Sequence, residues 1–129
     1  MRWLLLFVGG GIGTIFRYQI SGLIHDQLGS AFPWGTFVVN MTGCVLIGLL
    51  ATLADERGML GSPTRLFLMV GVTGGYTTFS TFSLETFKLY HSGMAHTALA
   101  YIATSVVCWL VSVWLGHILA SRLNRLKGS

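Results

Sequence analysis

Residues 71–83 read Gly71-Val72-Thr73-Gly74-Gly75-Tyr76-Thr77-Thr78-Phe79-Ser80-Thr81-Phe82-Ser83. They lie inside an apolar run, 66–90, that exceeds the roughly 20 residues a helix needs to cross a bilayer. The stretch is composed wrongly for a helix that faces lipid along its whole length. Gly74 and Gly75 are adjacent, and each glycine in a helix interior costs roughly 1 kcal/mol relative to alanine. Six Ser and Thr side chains in the same stretch offer the backbone competing hydrogen bonds. Loosened backbone survives at membrane depth only where protein buries it or it lines a wet cavity. The stretch therefore predicts a membrane helix broken near residues 74–77, with a polar and aromatic wall. That points to transport.

The surrounding chain agrees. Its 129 residues are 53% hydrophobic and 9% charged, with a mean hydropathy of +0.70, which excludes an ordinary soluble domain. Four runs reach spanning length, at about 3–24, 34–54, 66–90 and 95–119, giving an all-α membrane protein with a single four-span domain. The first run imitates a signal peptide but is too long and lacks a small-x-small cleavage site, so it counts as a span. The net charge of +4 comes from scattered basic residues rather than a stripe, which argues against nucleic acid. With an even number of spans, Arg2, Arg57, Arg65, Arg122, Arg125 and Lys127 share one side, against Arg17 and Lys88 towards the other. Six against two favours cytoplasmic termini.

Taken in order, Gly9-Gly10-Gly11-Ile12-Gly13 lacks the preceding strand and sixth-position glycine of a dinucleotide loop. Gly9 and Gly13 instead give a small-xxx-small face for close helix packing. Arg17 is expensive in hydrocarbon, and reads equally as an anchor on loop carbonyls or as a positive charge at a pore mouth. Thr36, Asn40 and Gly43 share one helical face. From spacing, Asn40 is first an interhelical hydrogen-bonding residue and second a donor to a permeating anion. Phe79, Phe82 and Thr86 share a face, and Thr78, Thr81 and Glu85 the next one. Ring edges carry partial positive charge and can meet an anion where hydroxyls donate beside them. Lys88, three residues on, is the expected partner of Glu85, with a gate or protonation site as the alternative. Tyr101, Ser105, Cys108 and Ser112 form a mildly polar stripe, and Cys44 and Cys108 read as small apolar residues. Residues 122–127 read as an interfacial basic anchor.

Three stretches together resemble the Fluc, or CrcB, family of fluoride channels, in order and over essentially the whole chain. They are Gly9-Gly10-x-x-Gly13-x-x-x-Arg17-Tyr18, Gly35-Thr36-x-x-x-Asn40-x-x-Gly43, and Gly74-Gly75-Tyr76-Thr77-Thr78-Phe79-Ser80-Thr81-Phe82. The resemblance implies a homodimer in a bacterial inner membrane, its subunits inserted in opposite orientations, with two fluoride pores. It implies that Phe79 and Phe82 line the pore with ring edges and that Asn40 supplies an amide. Ser80, Thr81, Tyr101 and Ser105 match the accompanying polar positions, and Arg17 the vestibule arginine. It also implies a structural Na⁺ at the dimer interface, held by the backbone carbonyls of Gly74 and Thr77 from each subunit, a use of unwound helix that other transporters share.

Fluoride is small and tightly hydrated, so a pore must replace its water with hydrogen-bond donors. Hydroxyls, an amide and ring edges do so without a fixed cation deep in the pore. The same groups could serve another small anion, so the choice of fluoride comes from the resemblance. Two other classes compete. A four-span proton-coupled efflux carrier wants a membrane-embedded carboxylate in its first span, where this chain has none, leaving Glu85. A non-catalytic assembly subunit is the other. No nucleophile elbow, zinc helix motif or acid–base pair supports an enzyme.

Overall fold

The computed structural model describes residues 1–128, Arg57 by its backbone alone. Every element among the described residues is helical. Helix α1 is Arg2–Leu28, α2 is Trp34–Arg57 and α6 is Ala95–Lys127. These three are long and apolar enough to cross a membrane. Between α2 and α6 lies an interrupted segment: α3 (Ser62–Arg65), a π-helical stretch (Leu66–Thr73), α4 (Gly74–Tyr76) and, after a gap, α5 (Phe79–His91).

Small residues decide how these helices pair. The most extensive pairing joins α2 to α6, while α1 packs on the π-helical stretch and α4. Gly13 is buried, and a Cβ there would overlap the Val72 carbonyl; at Gly116 it would overlap that of Val45. Both crossings are therefore backbone against backbone, the contact that the Gly9 and Gly13 face predicts. Hydroxyls buried between helices mostly satisfy themselves within their own helix, as Thr52 does on Gly48 and Ser112 on Cys108. An aromatic cluster closes one end of the bundle. It contains Phe37, Phe82 and Tyr101, with Phe32 edge-on to Tyr101 at a centroid distance of 5.2 Å.

The interruption falls where the sequence expects it, though not through the glycines. Gly74 and Gly75 are helical, and the chain leaves the helix at Thr77 (φ −83°, ψ 159°) and Thr78 (φ −152°, ψ 122°). Gly75 serves contact instead, since a Cβ there would crowd the Gly10 backbone. The π-helical stretch has no counterpart in the sequence reading. Within it the Thr73 hydroxyl donates to the Leu68 carbonyl five residues back, at 2.8 Å, and such stretches collect at functional sites.

Candidate functional site

Of the two extended residues, Thr77 bonds back to the Thr73 carbonyl and Thr78 is held by a side chain of α2. Asn40 engages both polar groups of Thr78: its Oδ1 accepts from the Thr78 N–H and its Nδ2 donates to the Thr78 carbonyl, each at 2.8 Å. Asn40 is thus first an interhelical hydrogen-bonding residue. Its amide carries two hydrogens, and it also borders an open groove of about 310 Å³ beside Gly74, Thr77, Phe79 and Trp109. The Thr78 hydroxyl caps α5 by accepting from the Thr81 N–H at 3.2 Å. On the other side, the Gly75 carbonyl accepts from Arg17 Nε at 3.1 Å and from the Thr14 hydroxyl at 3.4 Å.

Arg17 is thus an anchor, on a carbonyl of α4 rather than of a loop. It also lines a cleft of about 880 Å³ with Asp26, Thr81 and Glu85. Glu85 corrects the expected pairing with Lys88. Its Oε1 accepts from the Thr36 hydroxyl at 2.6 Å and its Oε2 from the Tyr101 hydroxyl at 2.7 Å. The ion pair found among the described residues is Arg65–Asp55, at 2.8 Å. Lys88 sits on the exposed side of α5, while Glu85 turns inward. Two hydroxyl donors thus stand where the sequence predicts an ammonium.

Phe79 and Phe82 stand 5.6 Å apart between ring centroids, tilted at 51°. They occupy different environments: Phe79 is 75% exposed and Phe82 only 6%. The Phe82 ring meets Tyr101 and Trp109 in edge contacts, each at 4.9 Å. Tyr101 and Ser105 are fully buried one turn apart on α6. Ser105 Oγ is a buried side-chain oxygen without a hydrogen-bond partner among the described residues. Such an atom costs free energy until something pairs with it. Thr81 lines the cleft, but Ser80 lies on the exposed side of α5, 3.3 Å from the Thr78 hydroxyl and apart from Tyr101 and Ser105.

Sequence reasoning singled out the face Thr36–Asn40–Gly43 and the face Thr78–Thr81–Glu85 but did not join them. The structure runs them antiparallel, with Thr36 on Glu85, Asn40 on Thr78, and Gly43 against the Thr77 methyl. Their matched spacing was the available signal. Thr14, with only its place one turn before Arg17 to mark it, gave none.

Comparison with known proteins gives this geometry a family. Residues 4–117 match the family described as CrcB-like protein, Camphor Resistance (CrcB). The chain belongs to the CrcB family. Among its relatives, the Fluoride-specific ion channel FluC of Opitutus terrae is 46% identical over 129 residues, covering 98% of each chain. The protein of the same name from Methylocella silvestris is 42% identical over 131 aligned residues, the full length of both. Fluoride-specific ion channel FluC 1 of Rhodopseudomonas palustris is 48% identical over 127 residues, covering 97% of this CrcB chain and 90% of its own. With three helices long enough to cross a membrane, this CrcB chain is a multi-pass membrane protein.

Proposed function

We propose that this chain is a passive, fluoride-selective channel of a bacterial inner membrane that lets F⁻ leave the cytoplasm. The observation that carries the reading is the end-to-end match to proteins named fluoride-specific ion channels. The interior suits it chemically. The buried polar side chains among the described residues, Thr36, Asn40, Thr52, Thr73, Ser105 and Ser112, are all neutral. Hydroxyls, an amide hydrogen and the rims of Phe79 and Phe82 can stand in for water without binding an anion too tightly to release it. On this reading Asn40, Phe79, Phe82, Thr81, Tyr101 and Ser105 line the path, and Arg17 draws anions into the cleft. Ser80 would join them from the exposed side of α5.

One chain does not complete such a path. Thr14, Thr42, Gly74, Phe79 and Ser80 are exposed, and in a membrane these polar and aromatic groups want cover. A second copy in the opposite orientation would supply it. The donor set for a sodium ion also fits. A continuous helix would pair the Gly74 carbonyl with the Thr78 N–H and the Thr77 carbonyl with the Thr81 N–H. Those two N–H groups turn instead to Asn40 Oδ1 and Thr78 Oγ1. The carbonyls that the resemblance names thus lose their helical partners, and hard oxygens of this kind suit a hard cation. Bound there, the cation would supply positive charge that ties the two copies together.

Glu85, held by two hydroxyls in the cleft, favours proton-coupled transport as a second reading. Fluoride efflux from liposomes, followed with an ion electrode, separates the two. A channel empties vesicles without a proton gradient, and Glu85→Gln changes the rate without creating a need for one. Efflux that requires the gradient in the parent protein and vanishes in Glu85→Gln would establish coupling instead.

A further inference from the structure

The antiparallel match between α2 and the interrupted segment has one more pair, which neither the fluoride path nor the sodium ligands use. The Tyr76 hydroxyl lies 2.8 Å from Thr42 Oγ1. Thr42 directs its own hydrogen to the Val38 and Val39 carbonyls, at 2.9 and 3.0 Å. Tyr76 is therefore the donor. Tyr76 is the last helical residue before the gap, and Thr42 lies two residues past Asn40, which holds Thr78 beyond the gap. Between them Thr77 packs over Gly43, where a Cβ would overlap the Thr77 methyl and come within 3.3 Å of the Tyr76 ring.

We propose that Tyr76 and Thr42 form a positioning pair that fixes the carbonyls of Gly74 and Thr77 for a cation. The proposal rests on the sodium reading above. A tyrosine ring has only two side-chain torsions, so anchoring its hydroxyl anchors the backbone that carries it. Thr77 then lies between two residues tied to α2, Tyr76 through Thr42 and Thr78 through Asn40. Without the Tyr76 hydroxyl, the near side of the gap loses its tie to α2 and keeps the bonds from Arg17 and Thr14 to Gly75 and those of Thr77 to the Thr73 carbonyl. The far side is unaffected. The two carbonyls would then have to be ordered when the cation arrives, and that cost appears as weaker cation binding.

The test is thermal unfolding of the purified protein in potassium salt, titrated with sodium. A ligand that binds only the folded state raises the transition temperature once its concentration exceeds its dissociation constant, and with the logarithm of concentration thereafter, so the rise reports that constant. The parent protein should gain stability with sodium and not with further potassium. Tyr76→Phe and Thr42→Val should each raise the sodium dissociation constant read from that rise about five-fold, as expected for one neutral hydrogen bond. The double variant should shift it no further, and Thr42→Ser, which keeps the hydroxyl, should match the parent. If Tyr76→Phe does not fold, Thr42→Val carries the same test from the other partner. A lower transition temperature with an unchanged sodium dissociation constant makes the pair ordinary packing and overturns the proposal. No sodium-specific rise in the parent protein removes the sodium reading, and the pair's role with it.

Discussion

A buried hydroxyl with no hydrogen-bond partner among the described residues is the sharpest feature at the scale of single residues. Ser105 Oγ carries a desolvation cost that no bond within those residues offsets. Ser105→Ala should therefore raise stability by about 1 kcal/mol in denaturant unfolding, since it removes an unsatisfied polar atom. The same change should slow fluoride efflux about ten-fold, the loss of one donor worth about 1.4 kcal/mol. A structural role would give the reverse, lower stability with unchanged transport. Tyr101 differs, because its hydroxyl is committed to Glu85. Tyr101→Phe leaves Glu85 with the Thr36 bond alone and should destabilise the fold by about 1–3 kcal/mol, measurable by the same unfolding.

At the scale of elements, the interrupted segment depends on α1 and α2 as much as on its own residues. Gly13→Val would push the segment away from α1 and should cost about 1–3 kcal/mol in thermal unfolding, whereas Gly22→Ala, with no neighbour to meet, should be neutral or stabilising. Much of this was legible in the sequence. Apolar runs locate the long helices because lipid enforces length and composition, and Gly9 and Gly13 announce a close crossing. The position of the break was legible through its threonines, although Gly74 and Gly75 are helical and Gly75 serves as a contact residue. What remained hidden depends on distant pairs. Lys88 is near Glu85 in sequence, but Thr36 and Tyr101 reach it through the fold. The π-helical stretch, on which α1 packs closely at Phe67, Gly71 and Val72, is likewise recorded by no local pattern.

For the whole molecule, the question is how copies sit in the bilayer. Arg65 pairs with Asp55 at the end of α2, where Glu56 also reaches Ser121 and Asn124 of α6, so the basic residues of the tail gather at one end. That bias favours cytoplasmic termini, whereas antiparallel self-pairing needs a fraction inserted the other way. Reporters active on opposite sides of the membrane, fused after residue 128, should both give signal. Neutralising Arg122, Arg125 and Lys127 should bring the two signals closer to equal. Signal from one side alone would mean that any antiparallel partner is a different chain. The most direct test of the central claim is the reversal potential across a bilayer containing the purified protein, with unequal fluoride concentrations on the two sides and chloride in the opposite gradient. A fluoride-selective pore places it near the fluoride equilibrium potential, unmoved by changes in chloride. A potential that tracks both anions, or the absence of fluoride current, would contradict it.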